Sequence, residues 1–344
     1  MQLKYRRLSI CAVLLWCSTL AIAEGEQQFA ELGTCKVESG ETIQDCRIGY
    51  RTWGKLNEQK SNVVVMLTWF TGNSGMLAGN VGADKYADPA LYYIVAIDAL
   101  ANGVSSSPSN SKQQPRTKFP KITIADMVET QHRLLTETLQ LNHVHAILGG
   151  SMGGMQAFQW AVQFPEFMDG VIPIVGATQM SSRDLLLWRA EKNAILESKE
   201  WNDGNYKAPI RIDAVADIHA LELETPERFN DKVSPKEYDA AVANIETSEN
   251  FDPSDRLRQL EAMMTHDISK RFGGKMYAAS QAVKAKMLIV VAMQDHMVNP
   301  RSALIFAEMR LVNPMQLKSS CGHLAPGCLN DLVAPAVQRA LAEK

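Results

Sequence analysis

Residues 147–154 read Ile-Leu-Gly-Gly-Ser-Met-Gly-Gly, and this stretch decides the fold of a chain of 344 residues. It lies between an apolar run, Val144 to Leu148, and a helical pattern that follows directly. A serine hydroxyl attacks a carbonyl well only when it projects from a sharp turn between a strand and a helix. Gly149 and Gly153 leave room for such a strained turn. We interpret the stretch as a nucleophile elbow that presents Ser151; the alternative is a glycine-rich connection with an incidental serine.

A serine nucleophile needs a base, and the base needs a group that orients it. Asp295 follows directly on a buried apolar run, and His323 lies close to the C-terminus beside a glycine. The chain order Ser, Asp, His is the order expected of the α/β-hydrolase fold. We therefore predict a catalytic triad of Ser151, Asp295 and His323, in which the histidine takes the serine proton.

Other acids and histidines compete for these roles. Asp98 ends an earlier apolar run and is the chief rival acid. His296 is adjacent to Asp295 and cannot fold back onto it, so we treat it as a loop residue. His132 lies on a predicted helix, where a structural or solvent-facing role is expected, and Asp267 is expected to make a surface or cap contact.

Two backbone N–H groups are expected to stabilise the oxyanion. Met152 follows the serine at a helix N-terminus, where N–H groups and the helix dipole favour negative charge. The second donor should come from the loop after the first buried strand, where Phe70 or Trp69 fits. Their side chains are also candidates for the wall of the acyl pocket, with a simple core role as the alternative.

Strand-like and helix-like segments alternate along the chain, which predicts a mostly parallel sheet with helices on both faces. The expected strands are residues 63–67, 91–97, 144–148, 170–175 and 286–293. Residues 181–280 lack such runs and are polar and helical in propensity, with helices expected at 185–196, 235–243 and 255–264. We therefore predict an α/β-hydrolase fold with core segments 24–180 and 281–344 and an inserted helical cap at 181–280.

The N-terminus has the pattern of a secretory signal. Residues 1–23 combine a basic start, an apolar stretch and a small-residue end, which predicts cleavage after Ala23 and a periplasmic or secreted protein. The apolar stretch is shorter than the roughly 20 residues of a membrane span. An uncleaved anchor is the alternative, whereas cleavage would leave no stable membrane association.

Cysteine usage agrees with export. Outside the signal the chain has Cys35, Cys46, Cys321 and Cys328, which permit three pairings as two disulfides. We favour the local pairing, Cys35 with Cys46 and Cys321 with Cys328; free buried thiols are the alternative.

The cysteine spacing is not that of a zinc site, and neither the fold nor the triad requires a metal or cofactor. A net charge of −3 makes nucleic acid a poor candidate partner.

The chain resembles the homoserine O-acetyltransferase family of α/β-hydrolases. The resemblance spans roughly 37–176 and 287–323, and its longest match is Gly-Gly-Ser-Met-Gly-Gly-Met-Gln-Ala at 149–157. It implies acyl transfer through an acyl-serine, with the oxyanion donors at Met152 and Phe70. Two substrate positions differ from the family. Leu324 replaces an aspartate that meets the amino group of homoserine, and Lys192, with Arg189 one turn away, replaces an arginine that meets its carboxylate.

Three functions follow from these observations. The first is an exported serine hydrolase that acts on a small ester or related acyl compound. The second is an O-acyltransferase that uses acyl-CoA and an altered acceptor. The third is a non-catalytic binding protein on a hydrolase scaffold. The hydrolase is favoured by Leu324, by Lys192 and by the predicted signal. The resemblance to the family also implies a possible homodimer.

Overall fold

The computed structural model describes residues 25–248 and 250–343, so the predicted signal segment lies outside the described residues. A nine-stranded sheet forms the centre of the fold. Its strands are β1 (Gln28–Lys36), β2 (Thr42–Trp53), β3 (Val63–Leu67), β4 (Tyr93–Ile97), β5 (Val144–Gly150), β6 (Met168–Ile174), β7 (Lys286–Met287), β8 (Val290–Ala292) and β9 (Met315–Leu317).

The sheet is antiparallel at one end and parallel elsewhere. Its order is β1-β2-β4-β3-β5-β6-β8-β9, with β7 also paired to β6. β1 with β2 and β2 with β4 are antiparallel, and the remaining pairs are parallel. Because the carboxyl ends of parallel strands meet at one edge of a sheet, the loops after β3, β5, β8 and β9 share one edge.

Eleven α-helices surround this sheet in the described ranges. They are α1 (Ile124–Arg133), α2 (Met152–Gln163), α3 (Ser182–Glu197), α4 (Asp213–Leu223), α5 (Pro226–Lys232), α6 (Tyr238–Ser248), α7 (Pro253–Met264), α8 (Met276–Ala282), α9 (Arg301–Arg310), α10 (Ala325–Cys328) and α11 (Asn330–Ala342). Helices α3 to α8 lie consecutively between β6 and β7. We call residues 181–280 the cap segment, and the rest of the described chain the core.

Each predicted strand is present with slightly different bounds, except that the run 286–293 forms two short strands. In the core, α1 is followed by a π-helical turn at Leu134–Thr138. Thr123 caps α1 through a capping box with Asp126, which fixes where the helix begins. The elements of the core therefore largely follow the periodicity of the sequence.

The cap segment departs further from expectation, because α4, α5 and α8 were not predicted. Helices α5 and α8 have only seven residues each, and α4 and α8 begin without a side-chain cap, whereas Thr225 caps α5. Short helices without a start signal depend on tertiary packing rather than on local sequence. Helix α4 packs against α3 and α6, and α3 packs against α7.

Two disulfides have the local pairing favoured from the sequence. Cys35–Cys46 joins β1 to β2 with a Cα–Cα distance of 5.8 Å. Cys321–Cys328 has a Cα–Cα distance of 6.6 Å and closes the loop that contains His323. In the described ranges, no helix is both long and apolar enough to cross a bilayer.

Candidate active site

The turn from β5 into α2 has the strained geometry of a nucleophile elbow. Ser151 has φ 56° and ψ −120°, a conformation that L-residues rarely adopt. A Cβ on Gly149 would lie 2.4 Å from the carbonyl oxygen of Gly153, and a Cβ on Gly153 would lie 2.5 Å from that of Leu67. The Ser151 N–H donates to the Ile174 carbonyl at 2.9 Å. Only glycine fits at positions 149 and 153, so the Gly-x-Ser-x-Gly spacing is a steric requirement of the turn.

The structure brings Ser151, His323 and Asp295 into one hydrogen-bonded chain. His323 Nε2 is 2.8 Å from Ser151 Oγ, and His323 Nδ1 is 2.7 Å from Asp295 Oδ2. The other oxygen, Oδ1, accepts from the N–H groups of Met297 at 2.9 Å and Val298 at 2.8 Å. Because an ionised carboxylate only accepts, Nδ1 carries the proton and Nε2 faces the hydroxyl as an acceptor. This arrangement can deprotonate the serine.

Asp98, the rival acid, is fully buried in a separate network. Its carboxylate accepts from the N–H and Oγ of Ser74 at 2.6 and 2.8 Å. It also accepts from Asn102 Nδ2 at 2.9 Å and Gln27 Nε2 at 3.0 Å. Four donors explain how a buried carboxylate is stabilised here. Asp98 therefore joins the loops after β3 and β4.

The remaining rivals also lie in other surroundings. His132 stacks on Phe164 with ring centroids 3.9 Å apart, and burial lowers the pKa of its imidazole. His296 is exposed beside Asp295. Asp267 accepts from the Ser269 N–H at 2.8 Å within a local turn. None of these side chains is hydrogen-bonded to Ser151 or His323.

Two backbone N–H groups are candidates for an oxyanion hole. Met152 is the first residue of α2, so its N–H has no partner within the helix. Phe70 lies in the loop after β3, and no acceptor among the described residues hydrogen-bonds its N–H. Trp69 precedes it, and the side chains of both aromatic residues line the cavity above Ser151.

Two buried glutamines hold the loop after β3 on either side of Phe70. Gln259 of α7 accepts from the Thr71 N–H at 2.9 Å, where Thr71 has φ +63°. Gln156 of α2 donates to the Thr68 carbonyl at 3.0 Å. These positioning contacts were not predicted. For Gln259 the available signal was only its place within the helix expected over 255–264.

The cavity at Ser151 and His323 has a volume of about 530 Å³ and mainly apolar walls. Side chains from both core and cap contribute, among them Leu77, Leu148, Val175, Leu223, Met297 and Leu324. No Asp, Glu, Lys or Arg is among the described residues that line it. The cavity can therefore hold a small apolar or neutral polar molecule, and it offers no fixed charge to an ammonium or carboxylate.

The predicted substrate contacts do not all reach this cavity. Leu324 lines it and is 44% exposed. Lys192 does not line it, because its Nζ lies 2.8 Å from Glu261 Oε1 in an ion pair on the cap. Arg189 is exposed and is also absent from the lining. The structure thus places neither cation where it could meet a substrate carboxylate beside Ser151.

Comparison with known proteins identifies the family of the chain. Residues 62–326 match the family model described as alpha/beta hydrolase fold. A probable esterase of Corynebacterium glutamicum is 28% identical over 94% of this chain and 97% of its own length. A homoserine O-acetyltransferase of Nautilia profundicola is 30% identical over 74% of this chain and 80% of its own.

A solved structure, that of the acetyl esterase MekB, superimposes with a TM-score of 0.85 at 25% identity, over 93% of this chain and 98% of that one. The named activities of these proteins are of two kinds, ester hydrolysis and acyl transfer. The chain belongs to the α/β-hydrolase fold family as a homoserine O-acetyltransferase-like member, and it is an ester hydrolase or an acyltransferase.

Proposed function

We propose that the protein is an exported serine hydrolase that cleaves small neutral esters, acetyl esters among them, through an acyl-serine on Ser151. His323 acts as general base and acid, and Asp295 orients its imidazole. The single observation that carries the choice of hydrolysis over transfer is the absence of Asp, Glu, Lys and Arg from the described lining of the cavity.

This observation argues against an amino-acid acceptor. An ammonium or carboxylate that enters an apolar cavity loses its hydration and needs a charged partner there. A hydrogen bond to a charged group is worth about 1.5–3 kcal/mol, so its loss weakens the acceptor complex by tenfold or more. Leu324 supplies only apolar surface where the resembling family carries an aspartate. Water needs no such partner and is the acceptor that fits.

Acylation begins when Ser151 Oγ attacks the ester carbonyl carbon and His323 Nε2 takes the hydroxyl proton. The carbonyl oxygen becomes an oxyanion that accepts hydrogen bonds from the N–H groups of Met152 and Phe70. One such donor typically contributes about 10²- to 10³-fold in kcat. When the intermediate collapses, the C–O bond to the alcohol breaks, and His323 returns the proton to the leaving alcohol oxygen.

Deacylation repeats these steps with water as the nucleophile. His323 Nε2 takes a proton from water while the water oxygen attacks the acyl carbon. The second tetrahedral intermediate uses the same N–H donors, and its collapse releases the carboxylic acid and restores the Ser151 hydroxyl. Asp295 stabilises the imidazolium that forms in each half-reaction.

Export is supported by two independent observations. Residues 1–23 have the charge and hydropathy pattern of a secretory signal. The two disulfides, Cys35–Cys46 and Cys321–Cys328, are typical of oxidising compartments. We expect the full-length gene product to yield a protein that begins at Glu24 in a periplasmic or culture fraction, which N-terminal sequencing tests.

The acyl-serine is tested by rapid acid quenching during turnover of p-nitrophenyl acetate, followed by peptide mass spectrometry. We expect acetyl on Ser151 in the wild type and neither acetyl nor turnover in Ser151→Ala. Acetyl on a different residue, or hydrolysis that survives Ser151→Ala, would contradict the proposed mechanism.

A further inference from the structure

A second histidine lines the same cavity. His219 lies on α4 of the cap segment, and its ring centroid is 5.8 Å from that of Phe70, the residue proposed to supply an oxyanion donor. Its Nδ1 is 3.0 Å from Glu191 Oε1. The His219 side chain is 20% exposed, so its ring is partly enclosed and partly open to the cavity.

Glu191 is fully buried on α3 and holds this imidazole in place. Its other oxygen, Oε2, accepts from Arg256 Nη1 of α7 at 2.9 Å. Arg256 also lies over the Phe70 ring, 5.0 Å from its centroid. A buried carboxylate that accepts from a guanidinium and from an imidazole is satisfied on both oxygens. Three helices of the cap segment therefore meet at one ion-pair network behind the cavity.

The network fixes the tautomer of His219. An ionised carboxylate has no proton to donate, so Nδ1 must donate to Glu191. In the neutral imidazole Nε2 is then an acceptor, and no described residue hydrogen-bonds this atom. The cavity thus contains an oriented acceptor that is separate from His323.

We propose that His219 is a specificity residue that accepts a hydrogen bond from a hydroxyl group of the substrate, so that the preferred substrates are small hydroxylated esters. This inference rests on the proposed ester hydrolase function and names its substrate class. A hydroxyl suits the site because it donates to Nε2 without bringing charge into a cavity whose other walls are mainly apolar. An alkyl group of the same size would leave Nε2 without a partner, which costs free energy.

The test uses pairs of esters that differ only by a hydroxyl in place of a methyl group. On the alcohol side the pair is 2-hydroxyethyl acetate and propyl acetate; on the acyl side it is ethyl 3-hydroxypropanoate and ethyl butanoate. The variants are His219→Phe, which keeps a ring without nitrogen, and His219→Gln, whose amide can donate to Glu191 and still present an acceptor. The readout is kcat/KM for each member of a pair.

We expect the wild type to prefer the hydroxylated member of one pair, and the preference to fall about tenfold in His219→Phe. His219→Gln should retain more of it than His219→Phe. Two results would overturn the inference while the hydrolase function stands. One is a wild-type ratio of kcat/KM, hydroxylated to alkyl ester, that neither substitution changes. The other is an equal fall in kcat/KM for both members of each pair, which would show that His219 only packs. If no ester is turned over in a Ser151-dependent manner, both the proposed function and this inference fail. If His219→Phe does not fold, His219→Gln still decides, because loss of preference in a folded His219→Gln contradicts a role for the retained acceptor.

Discussion

The core and the cap segment supply the same cavity in different ways. The core presents Ser151 after β5, Asp295 after β8 and His323 after β9, so the parallel register of one sheet brings the three together. The cap presents His219 from α4, whose Nδ1 is hydrogen-bonded to Glu191 of α3, and Glu191 is in turn paired with Arg256 of α7. From this difference we propose that the core determines the reaction and that the cap contributes to the choice of substrate.

The largest expected effect on activity comes from removing the nucleophile that the core supplies. Ser151→Ala should lower kcat by about 10⁴- to 10⁶-fold, because the nucleophile of a triad acts as a unit with its base. His296→Ala is the matched control, since His296 is exposed beside Asp295 and has no contact with Ser151. Steady-state hydrolysis of an acetyl ester measures both variants. A Ser151→Ala enzyme that keeps more than a hundredth of the activity would contradict the assignment.

The elbow itself is a steric feature of the core that a single methyl group should disrupt. Gly149→Ala places a Cβ 2.4 Å from a backbone oxygen, so the backbone must shift. Overpacking of this kind costs about 1–3 kcal/mol or more. Gly150→Ala is the control for stability, because a Cβ there meets no atom within 4 Å. Thermal unfolding should show a lower Tm for Gly149→Ala only; equal Tm values would argue against the strained turn.

The contact between α7 and the loop after β3 is where the cap supports the core. Gln259→Leu should lower kcat by about ten- to a hundredfold, because the Thr71 N–H loses its acceptor and the Phe70 N–H loses its orientation. Gln259→Glu keeps an acceptor and should recover part of the rate. Gln163→Leu, which removes a comparable glutamine remote from the loop, controls for stability. An equal fall in kcat for Gln163→Leu would mean that Gln259 contributes only to the stability of the fold.

A smaller effect is expected from a buried acid that joins the cap to the core. Asp255 of α7 accepts from the Ser109 N–H at 2.8 Å, and burial raises the pKa of its carboxyl from 3.8 to about 7. The folded state therefore binds the proton more tightly than the unfolded state does. The stability from this proton is fully present below about pH 4 and is lost as pH rises through 7, by up to about 1.4 kcal/mol per pH unit.

Asp255→Asn tests this dependence, because the amide keeps both hydrogen-bonding positions without a titrating proton. We expect the free energy of unfolding, measured by urea denaturation, to vary less between pH 5 and 8 in the variant than in the wild type. An identical pH profile for the two proteins would contradict the raised pKa.

The sequence predicts the core well and the cap poorly, for physical reasons. Ser151 and Asp295 each follow an apolar run, His323 completes the expected chain order, and the glycine spacing at the elbow reflects contacts within a few residues. His219, Glu191 and Arg256 lie on three separate helices. Their contacts arise only when α3, α4 and α7 pack, so no local pattern reveals them.

Lys192 is a second case in which packing between cap helices could not be predicted from the sequence. Alignment to the resembling family suggests that it meets a substrate carboxylate, whereas the structure pairs it with Glu261 of α7. The loop position of Phe70 followed from strand order, but its support by Gln156 and Gln259 required knowledge of which helix packs on that loop.

The central claim is that a cavity without charged side chains favours water over an amino-acid acceptor. It also predicts how acyl transfer to such an acceptor could be introduced. Leu324→Asp would place a carboxylate in the lining, where it can pair with the ammonium of homoserine. We expect this variant to divert part of the acetyl group to homoserine, and Leu324→Asn, which has the same shape without the charge, to divert less. Equal transfer by the two variants would mean that charge at this position does not select the acceptor.

The most direct measurement is the fate of the acetyl group in the wild type. The enzyme without its predicted signal is given an activated acetyl ester with excess homoserine in water, and mass spectrometry quantifies acetate and O-acetylhomoserine, with Ser151→Ala as control. We predict acetate as the Ser151-dependent product. Substantial O-acetylhomoserine from the wild type would contradict the account and identify the protein as a transferase.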